Sequence, residues 1–297
     1  MRIRPFEYHA AENLPDALDM AARWGSDAKI LAGGTDLVVA MKHKTMLPPH
    51  LISLHKVKEL EFVQVDDSSI HVGALCRHAD LAVHSALKKS IPVLCEAVNL
   101  IGSWQIRNMA TIGGNICHAS PAADSAAPLL VLDARAVITG SGGERTVPLE
   151  SFFVGPGVTS LKPNEIVKEL TMAKPKGQSF GCYKKLMRKK AVDLSQVGVA
   201  FQAEVDEGRE KLSKVAIGLG GVAPTPIRVP EAEQLFAGRS YDQAMKAIPE
   251  AARAAVAATR PIDDIRATAS YRREIVAVYL QRAAEEVFTS LFNGKGN

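Results

Sequence analysis

The chain has 297 residues, of which 47% are hydrophobic and 23% charged, and its formal net charge is +4. This composition is ordinary for a globular protein and excludes a disordered or fibrous chain. No apolar run approaches the roughly 18–20 residues of a membrane-spanning helix, and the mild charge lacks the basic stripe typical of nucleic-acid binding. We therefore expect a cytoplasmic protein without a membrane span or a nucleic-acid partner.

The first 56 residues show the pattern of a small parallel sheet. Residues 6–9 predict a strand, and a helix follows with Asn13 as its N-cap and Pro15 in its first turn. Strands at 29–32 and 51–54 flank a second helix that begins near Thr35 or Asp36. Alternation of strands and helices favours parallel strands joined by right-handed crossovers.

Beyond residue 56 the pattern changes to antiparallel strands mixed with helices. We expect a hairpin over 62–65 and 70–73, helices over 79–88 and 92–100, and strands over 131–138 and 166–172. After a break near 174–177, a three-stranded meander is predicted over 180–186, 197–205 and 215–219. The remainder is mostly helical and ends in an amphipathic stretch over 270–292, and residues 293–297 are expected to fray.

Two glycine pairs carry the functional signal. Gly33-Gly34 follows a predicted strand in the run Ala-Gly-Gly-Thr-Asp, and Gly113-Gly114 stands in Thr-Ile-Gly-Gly-Asn. Glycine permits positive φ and close approach of a ligand to the backbone, and successive amides in such turns form nests that bind anions. Either pair alone could mark an ordinary turn. Two nests brought together predict a site for the two phosphates of a dinucleotide.

The residues beside the glycines suit that site. Thr35 and Thr111 offer hydroxyl donors, and Asn115 offers an amide donor without adding negative charge. Asp36 would cap the second helix or bond a ribose hydroxyl. Cys117 and His118 are expected on an extended segment, where adjacent side chains point to opposite sides, so no Cys–His nucleophilic dyad is predicted.

Other motifs are excluded by their context. The four cysteines include no C-x-x-C pair, so neither a zinc cage nor an iron–sulfur cage is expected within this chain. Residues 218–223 match the dinucleotide fingerprint G-x-G-x-x-A, which must open a helix. Pro224 and Pro226 follow at once and prevent a regular helix there.

The order of the two glycine motifs, with Ser120-Pro121-Ala122-Ala123-Asp124 after the second, resembles the FAD-binding medium subunit of the molybdenum hydroxylases. This family includes carbon monoxide dehydrogenase and xanthine dehydrogenase. The resemblance implies an α+β protein: a two-subdomain FAD-binding fold of the PCMH or vanillyl-alcohol-oxidase type, then a smaller domain with a three-stranded antiparallel sheet and helices. The expected domains are 1–175, with subdomains of about 1–56 and 57–175, and 176–292.

The resemblance also implies cofactors and partners. FAD would be bound non-covalently, while molybdopterin would lie on a large subunit and two [2Fe–2S] clusters on a small subunit. Electrons would pass from molybdopterin through the clusters to FAD, and then to NAD or another acceptor. This chain would hold no catalytic residue and no metal ligand. Two alternatives are a stand-alone FAD oxidoreductase of the same fold and a scaffold subunit that has lost FAD.

Single residues follow from the same resemblance. Asp124 would contact the flavin nucleotide, or else only cap a helix. Ile101 and Val167 would flank the flavin ring, or else only pack in the core. Lys184 or Lys185 would approach the ring, with Lys185 the favoured candidate, or else both would lie on a basic strand that faces solvent. The expected cofactor-binding residues are Lys29, Ile30, Leu31, Ala32, Gly33, Gly34, Thr35, Asp36, Ile101, Thr111, Gly113, Gly114, Asn115, Cys117, His118, Asp124, Val167 and Lys185.

Overall fold

A computed structural model describes residues 3–189 and 192–292. The chain forms an α+β fold built on three main sheets, as expected. The predicted fraying of residues 293–297 lies outside the described residues. Among the helices of the described ranges, none has both the length and the apolar character that spanning a membrane requires.

The first sheet is the predicted small parallel one. Its elements are β1 (Glu7–Ala10), α1 (Leu14–Trp24), β2 (Ala28–Leu31), α2 (Leu37–Lys42) and β3 (His50–Ser53). The strand order is β1-β3-β2, with both pairs parallel. The Asn13 side chain accepts a hydrogen bond of 2.9 Å from the Asp16 amide, which confirms the predicted N-cap. Ala17 and Ala21 of α1 pack on the sheet and are buried.

The second sheet is antiparallel and has five strands. Its strands are β4 (Val63–Val65), β5 (Ser69–Gly73), β6 (Arg135–Gly140), β7 (Gly143–Pro148) and β10 (Glu165–Ala173), in the order β4-β5-β10-β6-β7. A small hairpin is formed by β8 (Phe153–Gly155) and β9 (Val158–Thr159). The helices of this part are α3 (His78–Val83), α4 (Ser85–Ser90), α5 (Pro92–Asn99), α6 (Trp104–Arg107), α7 (Ile112–His118), α8 (Ala126–Val131) and α9 (Leu149–Phe152).

Three expectations for this part are wrong. The helix expected over 79–88 is split in two, because His84 leaves the helical conformation and its side chain caps α4. The strand expected over 131–138 begins only at Arg135, and Val131 ends α8. Asp133 lies between them at a φ of 50°, in the left-handed region, so it turns the chain. The segment with Cys117 and His118 is not extended, since it forms the end of α7.

The third sheet lies between two layers of helices. Its strands are β11 (Ser179–Leu186), β12 (Val197–Val205), β13 (Leu212–Gly220) and β14 (Ile227–Arg228), paired in that order, so the predicted meander gains a short fourth strand. The helices α10 (Pro230–Gln234), α11 (Tyr241–Ala258) and α12 (Ala269–Phe292) follow. One face of the sheet packs on α12, and α11 packs on α12 within the same apolar core. The other face packs on α5 and α8.

The false dinucleotide fingerprint has a packing role. Residues 212–220 are strand β13, and the next helix along the described chain begins only at Pro230. A Cβ at Gly218 would lie 2.5 Å from the carbonyl oxygen of Ala127, so glycine here lets the strand approach α8 closely.

Candidate functional site

A cavity of about 530 Å³ lies where the first two sheets meet. Its walls are the loop between β2 and α2, the start of α7, and the segment from Gly157 to Val167 that leads into β10. This volume is in the range of sites for small molecules and cofactors. Of the eighteen residues expected at the cofactor, fourteen line the cavity: Lys29, Ile30, Ala32, Gly33, Gly34, Thr35, Asp36, Thr111, Gly113, Gly114, Asn115, Cys117, His118 and Val167.

The first glycine turn presents unpaired amides to this cavity. Gly34 has a φ of 71°, which turns the chain between β2 and α2. Within the described part of the chain, the backbone N–H groups of Gly33, Gly34, Thr35 and Asp36 donate no hydrogen bond to another residue. Asp36 is the N-cap of α2, but its side chain makes no capping hydrogen bond. Four consecutive amides are therefore available to an anion in the cavity.

The second glycine pair differs from the expectation. Gly113 and Gly114 lie in the first turn of α7, where neither φ is positive. Their amides are already used: Gly113 donates to the Ala74 carbonyl at 2.9 Å, and Gly114 donates to Thr111 Oγ1 at 3.1 Å. The expectation of a second nest with free amides is therefore wrong. Gly113 is required by packing, because a Cβ there would lie 2.6 Å from the Ala74 Cβ.

The two motifs touch each other across the cavity wall. A Cβ at Gly33 would lie 2.7 Å from the carbonyl carbon of Met109 and 2.9 Å from the Ala110 Cα. A Cβ at Gly114 would lie 3.7 Å from the Ala32 Cβ, which is ordinary contact. The glycine at 33 therefore lets the β2–α2 loop rest on the segment that leads into α7.

Side-chain donors at the start of α7 face the same cavity as the amides of the first glycine turn. The Ser125 hydroxyl donates to Asn115 Oδ1 at 2.6 Å, and among the described residues the Asn115 Nδ2 hydrogens have no acceptor, so they can bind a ligand. The Thr111 oxygen accepts from the Gly114 amide, and its hydroxyl hydrogen is still available. Both side chains line the cavity and add donors without negative charge.

The charges around the cavity also favour an anionic ligand. Lys29 and Lys162 line it, and within the described ranges neither ammonium forms an ion pair. The lining carboxylate of Glu165 is paired with Arg145 at 2.7 Å, and this guanidinium lowers the pKa of that carboxyl. The Asp36 carboxylate lies 4.0 Å from His118 Nε2. Positive charge is thus more available than negative charge to a ligand.

No nucleophilic dyad is formed at the end of α7. Burial raises the pKa of the Cys117 thiol to about 12, so the thiol stays protonated at neutral pH. Adjacent residues on a helix also lie about 100° apart around its axis. All four cysteines of the chain are free.

Four expected residues do not line the cavity, namely Leu31, Ile101, Asp124 and Lys185. Two of these pair with each other, because Lys185 Nζ lies 2.7 Å from Asp124 Oδ2 and also donates to the Leu100 carbonyl at 2.9 Å. The Tyr183 hydroxyl donates to Asp124 Oδ1 at 2.9 Å. The pKa of Asp124 is raised above its usual value because burial outweighs the opposing effect of the Lys185 ammonium. Lys184 instead pairs with Glu286 at the surface.

One wall of the cavity is not predicted by any motif in the sequence. It is formed by the segment between β8 and β10 and contributes Gly157, Thr159, Leu161, Lys162 and Pro163. The Gly-Pro-Gly and Lys-Pro runs of this segment mark a loop. They contain no motif that connects the loop to a ligand.

Comparison with known proteins shows that the chain matches two known domain families. Residues 4–174 match the family described as the FAD binding domain in molybdopterin dehydrogenase. Residues 181–287 match the CO dehydrogenase flavoprotein C-terminal domain.

Relatives match along nearly the whole chain. The carbon monoxide dehydrogenase medium chain of Hydrogenophaga pseudoflava is 34% identical over 278 residues, which cover 94% of this chain and 95% of that protein. The xanthine dehydrogenase FAD-binding subunit of Escherichia coli O157:H7 is 33% identical over 282 residues and 94% of each chain. A solved structure of the Hydrogenophaga pseudoflava carbon monoxide dehydrogenase superposes with a TM-score of 0.92 at 34% identity, covering 97% of this chain and 99% of that chain. The chain therefore belongs to the FAD-binding medium subunits of the molybdenum hydroxylases, and it is a subunit of an oxidoreductase complex.

Proposed function

We propose that the cavity holds one FAD non-covalently, with its diphosphate against the loop from Gly33 to Asp36. The observation that carries this proposal is the run of four backbone amides without a protein acceptor among the described residues. Asn115 Nδ2 and the Thr111 hydroxyl supply further donors from the opposite wall, and Lys29 and Lys162 supply positive charge. We also propose that the FAD-binding domain ends near residue 175, where the C-terminal domain begins.

The flavin ring would lie toward the pair formed by Lys185 and Asp124. Lys185 uses two of its three N–H donors on Asp124 and the Leu100 carbonyl, which leaves one for a cofactor atom. Ile101 and Val167 are buried apolar residues that would flank the ring. FAD, when bound, supplies a redox centre that accepts electrons singly or in pairs. The protein's own residues bind it, orient it and exclude water from one side.

The chain would be the last electron carrier of a larger complex, passing electrons to an external acceptor. Electrons would pass from molybdopterin in a large subunit, through the [2Fe–2S] clusters of a small subunit, to FAD, and then to NAD or another acceptor in the cytoplasm. Two exposed apolar side chains, Trp104 and Val192, line one shallow surface pocket and support a partner contact there. Its position fits, since the Val192 amide donates to the Gly102 carbonyl, close to Leu100 and Lys185.

The substitution Asn115→Asp tests the diphosphate site. It keeps the shape and the Ser125 contact but replaces the free amide donor with a negative charge. We expect FAD affinity, measured by titration of the apo-protein, to fall at least tenfold, since a lost charged hydrogen bond is worth about 1.5–3 kcal/mol. The control Gln234→Glu makes the same charge change at an exposed position of α10 and should bind FAD normally. Unchanged affinity in Asn115→Asp would place the phosphates elsewhere.

A second experiment tests the electron path separately. The chain purified from its native host should bring down partners that contain molybdenum and iron. A strong reductant of the iron–sulfur clusters should reduce flavin in this complex faster than in a complex with Trp104→Glu. Purification of the chain alone, fully loaded with flavin, would contradict the partner assignment but leave the FAD site intact.

A further inference from the structure

Three potential metal ligands meet on one face of the first sheet. Glu7 and His9 are two apart on β1, so their side chains leave the same face of the strand. Glu7 stands opposite His50 on the neighbouring parallel strand β3, which puts all three on that face. His9 and His50 are 41 positions apart in the sequence, so no short motif connects them. Their juxtaposition is a product of the β1–β3 pairing.

The donor atoms are spaced like the corners of a metal site. His9 Nε2 lies 3.2 Å from His50 Nδ1, and Glu7 Oε2 lies 3.3 Å from His50 Nδ1 and 3.6 Å from His9 Nε2. In a tetrahedral zinc site with bonds of about 2.0–2.1 Å, neighbouring ligand atoms are about 3.3–3.4 Å apart. The three atoms therefore match one face of such a tetrahedron. Among the described residues this is the only group of three such donors found so close together.

The two imidazole rings are held in place by Trp24 at the end of α1. The His9 ring stacks on the Trp24 indole with centroids 4.0 Å apart, and the His50 ring stacks on it at 4.9 Å. Both histidine side chains are four-fifths buried, whereas Glu7 is 70% exposed. The site is thus rigid on the histidine side and open to solvent on the carboxylate side. This matches three protein ligands with a fourth position left for water.

We infer that Glu7, His9 and His50 bind one divalent cation of the zinc type, with water as the fourth ligand. Two imidazoles and one carboxylate form a borderline donor set that suits zinc better than calcium or magnesium. The bound cation would connect β1 to β3 and stabilise the small sheet. The site is separate from the cofactor cavity, because none of the three residues lines that cavity.

The test is calorimetric titration of the full chain with Zn²⁺, using protein free of a polyhistidine tag and stripped with a chelator. We expect one equivalent to bind, and the melting temperature to rise with Zn²⁺ as it does for any ligand that binds only the folded state. Co²⁺ in place of Zn²⁺ should give the visible absorption of a four-coordinate site. His50→Ala should weaken Zn²⁺ binding at least a hundredfold.

Two further variants guard against misfolding and non-specific binding. Glu7→Gln changes only an exposed side chain, so it should fold normally and still lose at least tenfold in Zn²⁺ affinity. His43→Gln removes an exposed histidine elsewhere and should bind Zn²⁺ like the parent chain. The inference is overturned if no saturable binding is seen, or if Glu7→Gln and His50→Ala both bind Zn²⁺ as tightly as the parent.

Discussion

Gly33 rests against the backbone of Met109, and this contact joins the two glycine motifs. Any Cβ at residue 33 would lie 2.7 Å from the Met109 carbonyl carbon, which is too close, and a backbone atom cannot easily move away. The contact sets the position of the free amides relative to the start of α7. It leaves no room for a Cβ at residue 33 unless the backbone shifts.

We predict that Gly33→Ala destabilises the protein by about 1–3 kcal/mol, the usual cost of overpacking, and also lowers its FAD content. The matched control is Gly142→Ala, because residue 142 has open space around its Cβ position and no positive φ. Chemical denaturation and flavin absorbance give both quantities. Equal stability and flavin content in the two variants would show that the loop does not depend on this contact.

The buried pair of Asp124 and Lys185 should be far more sensitive than the neighbouring surface pair. Lys185→Met leaves the Asp124 carboxylate buried without its cation, which costs about 3–5 kcal/mol. Lys184→Met removes only the partly exposed contact with Glu286, and such contacts are worth about 0–1 kcal/mol. Urea denaturation of the two variants checks this difference, and a loss of similar size in both would refute it.

His78 gives a pH dependence of known sign. Burial, with a smaller contribution from Arg107, lowers the pKa of His78 from 6.5 to about 4. Since the unfolded chain binds the proton more tightly, the stabilisation is complete above about pH 6.5 and is lost as the pH falls toward 4. Between pH 7 and pH 5 the parent should lose about 2 kcal/mol more than His78→Gln, which cannot titrate there. Parallel stability curves for the two proteins would contradict this assignment.

Much of the architecture was predictable because local signals agreed with the tertiary structure. The Asn13 cap and strand–helix alternation predicted the parallel sheet, and three long apolar strands predicted the meander. Sequence patterns were misleading where burial was uniform. Helix α8, which a helix from Asp124 through Leu132 anticipated, is buried on all sides, so its apolar pattern does not mark its end, and Val131 was assigned to the next strand as well.

The site was predictable only in part, for a related reason. Glycine at 113 looked like a turn but serves the packing of a helix on Ala74. The pairing of Asp124 with Lys185 joins residues 61 positions apart, and the contact of His9 with His50 joins residues 41 positions apart on two strands. Contacts of this kind depend on how the elements pack and leave no pattern along the chain.

Acid precipitation of the purified protein is the sharpest test of whether the chain carries one non-covalent FAD. We expect one equivalent of flavin per chain in the supernatant, identified as FAD by chromatography. The cavity supports this outcome through the amides of Gly33 to Asp36, which have no protein acceptor among the described residues, and through a Cys117 thiol whose pKa is too high for easy attachment. Flavin that stays with the pellet would show a covalent cofactor, and release of FMN in place of FAD would show that the site does not hold a dinucleotide.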